Sequence, residues 1–174
     1  MNNKKLEAAL SDEIQALLAD RKSLMLSTLD AEGEPYASYA PFAVEDQNIY
    51  LLISEIALHA LNLQRHPRAA VLIMEDEDTA EELFARRRLA FQVSATLIET
   101  DSEQWQAGIN VLSQRHGERI NSLSQLADFK LFRLASLGGR YVKGFGKAYT
   151  IEAGSFDGRD LTHLRDGHQQ RVVS

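Results

Sequence analysis

The sequence predicts a single domain built on a small antiparallel β-barrel that is decorated by helices. Six or seven strand-like apolar stretches alternate with turn-forming segments, and most of them follow one another as hairpins. Segments with helical periodicity lie between some of these strands, as in mixed folds with a mainly β core. The length of 174 residues fits one domain with one core.

The first hairpin is the clearest local signal. Leucine and isoleucine at helical spacing before it predict an amphipathic helix that ends near Arg21. A strand is expected at 23–29, followed by a turn over 30–35 and a returning strand at 36–44. Pro41 is expected at an edge or a bulge of the returning strand, because proline donates no backbone hydrogen bond.

The later elements follow from the same periodicities. They are expected in this order: a strand at 49–53, a helix stopped by Pro67, a strand at 69–74, a short helix at 79–85, a strand at 89–98, a helix at 101–115, a second short helix from Glu118, and two last strands at 129–134 and 140–151 separated by Leu137-Gly138-Gly139. Residues 154–174 are polar and glycine-rich, which is typical of a loop or tail.

Composition excludes several classes of function. The chain has 19 basic and 25 acidic residues, so its formal charge of −6 disfavours general nucleic-acid binding. It has no cysteine, which excludes disulfides, iron–sulfur clusters and a cysteine nucleophile. No apolar window suits a membrane span, and the N-terminus lacks the apolar run of a signal peptide. We therefore expect no membrane association and a cytoplasmic location.

Three features could carry chemistry, each with an ordinary alternative, and two others are excluded as sites. No two of the five histidines have His-x-x-x-His spacing, so spacing gives no case for a zinc enzyme. The tail containing His168 is either solvated or a loop that delivers an imidazole to a site elsewhere. The triplet 86–88 is either a paired charge run or an anion site. Asp128 is either a turn or cap residue or a carboxylate beside a metal-ligating histidine. The pair Gly144 and Gly146 lacks the rest of a dinucleotide fingerprint.

Motifs in the first half resemble the pyridoxamine-phosphate-oxidase-like split barrels, whose members usually bind FMN at a homodimer interface. The motifs are Leu26-Ser27-Thr28-Leu29-Asp30-Ala31-Glu32-Gly33-Glu34-Pro35, Ser38-Tyr39-Ala40-Pro41-Phe42, Ile53-Ser54 through His59, Asn62-Leu63 and His66-Pro67-Arg68. Flavin-binding relatives commonly carry a lysine that meets the FMN phosphate, and the matching position here is His59. A histidine side chain is shorter than a lysine and mostly neutral at pH 7, so the substitution makes FMN binding the less favoured hypothesis.

Further motifs resemble one branch, the HugZ/HutZ-type haem-utilisation proteins. They are Leu83-Phe84-Ala85-Arg86-Arg87-Arg88-Leu89, Arg115-His116-Gly117-Glu118, Leu126-Ala127-Asp128-Phe129-Lys130-Leu131-Phe132-Arg133-Leu134, Val142-Lys143-Gly144-Phe145-Gly146-Lys147-Ala148-Tyr149 and Leu164-Arg165-Asp166-Gly167-His168. The resemblance implies a homodimeric split barrel over 1–153, whose segment 154–174 forms a haem-ligand loop of the same domain.

The resemblance also assigns roles to single residues. His168 matches the axial haem-iron ligand, and Asp128 matches its acidic partner, which would fix the ligand tautomer from the other subunit. The haem propionates need cations, for which Arg88 is preferred over Arg86 and Lys143. The function implied is a haem oxygenase-like ring cleavage with O₂ and an external electron donor, releasing iron. A non-catalytic haem carrier and an FMN-dependent oxidoreductase remain the alternatives.

Overall fold

The computed structural model describes residues 2–158 and 161–164, with backbone alone at residues 2, 3, 163 and 164. His168 lies outside the described residues. The helices and strands are α1 (Asn2–Asp20), β1 (Ser23–Leu29), β2 (Pro35–Pro41), β3 (Ala43–Glu45), β4 (Asn48–Ser54), α2 (Leu58–Arg65), β5 (Arg68–Met74), β6 (Arg88–Ile98), α3 (Glu103–His116), α4 (Arg119–Ser124), β7 (Phe129–Gly144), β8 (Lys147–Ile151) and β9 (Leu161–Leu164).

The strands form one antiparallel sheet that curls into a barrel. Its order is β2-β1-β5-β6-β7-β4-β3, and β8 and β9 extend it beyond β7. Strands β2 and β3 stand at opposite ends of this order, yet Phe42 alone separates them in the chain. The two ends of the sheet therefore meet, and a mainly antiparallel β-barrel with helices is confirmed.

The returning strand of the first hairpin is shorter than expected. It ends at Pro41, and the next residues form the separate strand β3, which pairs with β4. The Phe42 N–H bonds the carbonyl of Lys22 at 3.2 Å, so this residue turns the chain from one strand to the next. The expectation that Pro41 marks an edge is confirmed, because β2 pairs with β1 alone.

Two glycines allow one strand where the sequence predicts two. β7 runs continuously over 16 residues, and its pairing with β6 shifts register between Phe91 and Val93. A Cβ on Gly139 would lie 2.3 Å from Phe91 Cδ1 and 2.6 Å from the Ala90 carbonyl oxygen, and Gly138 has φ +113°. The glycine pair therefore makes a bulge in a continuous strand instead of ending it.

Three further expectations are wrong in detail. The strand expected at 140–151 is interrupted by a turn at 145–146 and is divided between β7 and β8. Residues 79–85 form no α-helix but belong to a segment with short 3-10 turns at Glu77–Thr79 and Leu83–Ala85. Part of the expected tail is strand β9, which pairs with β8. With β3 and β9 counted, the described residues hold nine strands instead of six or seven. No described helix is long and apolar enough to cross a bilayer.

The segment before β9 is anchored in the main core. The Phe156 side chain is fully buried, and its ring meets Phe91 edge-on at 4.8 Å between centroids. Gln47 donates to the Asp157 carboxylate at 2.7 Å and accepts the Phe156 N–H at 3.1 Å. Residues 156–157 are thereby fixed to the turn between β3 and β4.

The same segment also contacts α1. The Ser11 hydroxyl donates to the Asp157 carbonyl at 2.7 Å. Gly158 has φ +71°, and a Cβ there would lie 2.4 Å from Ile14 Cδ1. The chain therefore leaves the barrel towards β9 from a fixed point beside the N-terminal helix.

Candidate functional site

Asp128 lies in the turn that leads into β7, where it is tied to the end of β4. The Ser54 hydroxyl donates to Asp128 Oδ2 at 2.5 Å, and the Glu55 N–H donates to the Asp128 carbonyl at 2.8 Å. Ser54 Oγ in turn accepts the Ile56 N–H at 3.1 Å. Asp128 is thus a turn residue whose carboxylate is held by a neighbouring strand and caps no helix.

The second carboxylate oxygen of Asp128 is open. Within residues 2–158 and 161–164, Oδ1 accepts no hydrogen bond, and no ion pair involves this carboxylate. The nearest cation in sequence, Lys130, donates instead to the Ala127 carbonyl at 3.0 Å and lies 3.8 Å from a Glu55 oxygen. Asp128 therefore presents one fixed and one available acceptor oxygen, an arrangement suited to receiving a further N–H donor.

Arg88 and Lys143 lie at the other end of β7, and their side chains differ in availability. Lys143 Nζ is 2.5 Å from Glu13 Oε1, so its ammonium joins β7 to α1. The Tyr141 hydroxyl donates to Glu13 Oε2 at 3.0 Å, and burial, reinforced by this carboxylate, raises the pKa of Tyr141 far above its usual value. Within the described residues, the Arg88 side chain makes one hydrogen bond, to the Arg86 carbonyl at 3.0 Å, so its guanidinium is more available than the Lys143 ammonium.

The other two arginines of the triplet are paired, as expected for a charge run. Arg87 binds the Glu75 carboxylate through its backbone N–H at 2.7 Å and its Nε at 2.8 Å. Arg86 donates to the Glu75 carbonyl and lies 3.8 Å from a Glu77 oxygen. Burial raises the pKa of Glu75, but the two Arg87 hydrogen bonds outweigh it and hold that pKa below its usual value.

A single protomer does not bring the described site residues together. Asp128 precedes the first residue of β7, whereas Lys143 and the Arg88 pairing partner Val142 lie near its last residue. The bulge at Gly138 and Gly139 lies between these two ends of the strand. Sequence reasoning named residues at both ends of β7 but gave no indication of their separation.

His59 is held as a neutral group beside β2. It lies on α2, and its Nδ1 is 3.0 Å from Ser38 Oγ. Burial lowers the pKa of this imidazole below its usual value, so it is uncharged at neutral pH. A neutral ring offers a phosphate group at most a hydrogen bond and no charge.

A groove of about 820 Å³ lies on the outer face of β1, β5, β6 and the bulge of β7, and we call it the outer groove. Its floor consists of apolar and small residues that point away from the barrel core: Met25, Ala70, Leu72, Ala90, Leu137 and Gly138. Polar residues are expected at outward positions of a solvated antiparallel sheet. Sequence reasoning missed this face, although the apolar residues at alternate positions of these strands carry the signal.

Comparisons with known proteins identify the family of this chain. The model of the family described as pyridoxamine 5'-phosphate oxidase matches residues 10–143. The protein named Heme oxygenase HutZ, from Vibrio cholerae serotype O1, is 44% identical over 170 residues, which is 98% of this chain and 96% of that protein.

Solved structures with the same fold include two proteins above 30% identity. One, described as the heme storage protein HutZ from Vibrio cholerae, aligns with a TM-score of 0.70 at 47% identity over 72% of this chain and 88% of that one. The other, Campylobacter jejuni ChuZ, aligns with a TM-score of 0.83 at 31% identity over 95% of this chain and 67% of that one. The chain therefore belongs to the pyridoxamine 5'-phosphate oxidase family of split barrels, in the branch that contains HutZ.

Proposed function

We propose that this protein binds haem between two subunits and cleaves its ring to release iron. The observation that carries the proposal is the similarity to Heme oxygenase HutZ, which extends over nearly the whole chain. The described residues are compatible with haem binding. An imidazole that ligates iron needs an acceptor for its other N–H, and Asp128 offers an oriented carboxylate with one open oxygen.

His168 is the proposed axial ligand, and it lies outside the described residues. Support comes from the anchoring of residues 156–158 and from the pairing of β9 with β8, since β9 ends at Leu164, four positions before His168. In the dimer, the His168 ring nitrogen that does not bind iron donates to Asp128 Oδ1 of the partner. This bond fixes the tautomer and strengthens the imidazole as a donor to iron, which favours oxygen activation.

Dimerisation through the outer groove is part of the proposal. The floor of the groove is largely apolar, with Gln92, Arg140 and Glu152 also in its lining. Each protomer has Asp128 and Arg88 at opposite ends of β7, so two copies are needed to complete one site. Ala70→Glu places a charge in the groove and should yield monomers by sedimentation. Ala107→Glu, the same change on the exposed face of α3, should leave the dimer intact. A dimeric Ala70→Glu protein would reject the interface.

Haem is the substrate of the proposed reaction as well as the source of its chemistry. When bound, it supplies the iron at which O₂ and electrons from an external donor open the ring to a biliverdin-type product. The residues of the chain bind and orient the haem. His168 ligates the iron, Asp128 accepts a hydrogen bond from the His168 imidazole, and the Arg88 guanidinium forms an ion pair with a propionate. Lys143 is the weaker candidate for that contact because Glu13 already binds its ammonium.

The test is turnover of reconstituted protein. With hemin, O₂ and ascorbate, the Soret absorption should decay and iron should be released, and catalase should not abolish this. If the haem stays intact under these conditions and transfers to an apo-haemoprotein, the protein is a haem carrier instead. Such a function would agree with the description of HutZ as a heme storage protein. The cytoplasmic location is tested separately by cell fractionation.

An FMN-dependent oxidoreductase is the second candidate, favoured by the match to the pyridoxamine 5'-phosphate oxidase family. The neutral, half-buried His59 counts against it, because it supplies no charge to a flavin phosphate. Titration with FMN distinguishes the two. The haem proposal predicts weak or absent flavin binding and a haem spectrum that changes in His168→Ala, whereas a flavoenzyme would be indifferent to that substitution.

A further inference from the structure

We propose that Ser54 is a positioning residue that sets the direction of the Asp128 carboxylate towards the haem ligand, an inference that rests on the proposed function. The Ser54 hydroxyl has one proton, and this proton is donated to Asp128 Oδ2 at 2.5 Å. Sequence reasoning gives Ser54 no role, since a serine at the end of a strand is commonplace.

Ser54 itself is held in place. Its oxygen accepts the Ile56 N–H at 3.1 Å, so the side chain cannot change its χ1 rotamer without losing that bond. The backbone is tied as well, because the Glu55 N–H donates to the Asp128 carbonyl at 2.8 Å. Two contacts, one to the backbone and one to Oδ2, therefore fix the plane of the carboxylate.

Fixing one oxygen determines what the other can do. Oδ1 has no hydrogen-bonding partner in the described part of the chain, and the neighbouring ammonium of Lys130 is turned to the Ala127 carbonyl. A carboxylate whose two oxygens were both free would exchange them and would rotate with solvent. With Oδ2 occupied, Asp128 instead presents a single acceptor in a constant direction, which is what a directional imidazole N–H requires.

The experiment measures the iron–imidazole stretching frequency of the ferrous haem complex by resonance Raman spectroscopy. Asp128→Asn should lower it, because the ligand loses anionic support. Ser54→Ala should move it in the same direction by a smaller amount, and Ser54→Thr, which keeps the hydroxyl, should restore it. Ser54→Cys, which keeps a γ atom but is a weak donor, should fall between Ala and Thr.

Controls separate positioning from general damage. Ser122→Ala removes an exposed hydroxyl that has no hydrogen bond in the described structure of α4, and it should match the wild type. Thermal denaturation of each haem-free variant shows whether it is folded. The ring-cleavage rate should fall about 3- to 10-fold in Ser54→Ala, less than in Asp128→Asn, for which about 10- to 100-fold is expected.

Each outcome decides between the two proposals. If folded Ser54→Ala has the wild-type iron–imidazole stretching frequency, the positioning role is overturned. A frequency above that of the wild type also overturns it, because it would mean that the Ser54 hydrogen bond only weakens the carboxylate as an acceptor. If Asp128→Asn shifts the band and Ser54→Ala does not, the inference about Ser54 fails alone. If His168→Ala leaves the band unchanged, the ligand assignment fails, and the inference about Ser54 fails with it.

Discussion

Replacing Phe156 by alanine should loosen the segment that leads to β9. The ring is fully buried and lies edge-on to Phe91, so its loss removes a large apolar side chain and leaves a cavity. Deletions of this kind cost about 3–5 kcal/mol. For a chain of this length, about 4 kcal/mol corresponds to a fall in Tm of about 8–16 °C.

The assay is urea denaturation followed by the fluorescence of Trp105, the single tryptophan, which is buried on α3. Phe156→Leu keeps most of the volume and should cost no more than about 1.5 kcal/mol. Phe84→Ala truncates a ring that is 87% exposed and should cost less than about 0.5 kcal/mol. A loss below about 1 kcal/mol in Phe156→Ala would refute the anchoring of residues 156–158 to the core.

Three further predictions concern other parts of the molecule. The wild type should lose stability as the pH falls through about 6.5, because burial lowers the pKa of His59 and the unfolded state therefore binds more protons than the folded state. His59→Gln should lose less stability over this pH range, and equal losses of the two proteins in urea titrations would contradict this. Gly139→Ala should cost about 1–3 kcal/mol by collision with Phe91, whereas Gly144→Ala, with open space around it, should be near neutral in the same assay. Arg115→Met should lower the unfolding free energy by at least about 2 kcal/mol. The substitution removes hydrogen bonds to three carbonyls at the end of α1 and the contact of the guanidinium with the Phe42 ring, and an unchanged Tm would contradict it.

Local patterns predicted most of the barrel. The bounds of β1 match, and the helix before Pro67 ends at Arg65 as expected. The errors occur where tertiary contacts override local preference. Residues 79–85 have helix-forming composition, but the Glu82 side chain accepts the Phe84 N–H and Glu75 holds Arg87, which favours tight turns. β9 has only four residues and lies within a polar, glycine-rich segment, so no periodicity in the sequence marks it as a strand.

The site was less accessible to sequence reasoning than the fold. Motif resemblance singled out Asp128, and the structure adds that one of its oxygens is held by Ser54. That contact joins residues 74 positions apart, and no local pattern encodes such a pairing. The difference between Arg88 and Lys143 was equally hidden, since charge alone does not reveal that Glu13 binds one of them. The assignment of His168 stays a prediction.

The position of α1 has a consequence for how the chain is made. This helix is synthesised before its bonding partners, since Glu13 bonds Tyr141 and Lys143, and Ser11 bonds the carbonyl of Asp157, 146 positions later. The core around its apolar side, which includes Tyr141 and Phe156, is therefore incomplete until residues 141–157 have been synthesised. Nascent chains halted before residue 141 should be open to proteases at this helix, and those extended past residue 158 should protect it.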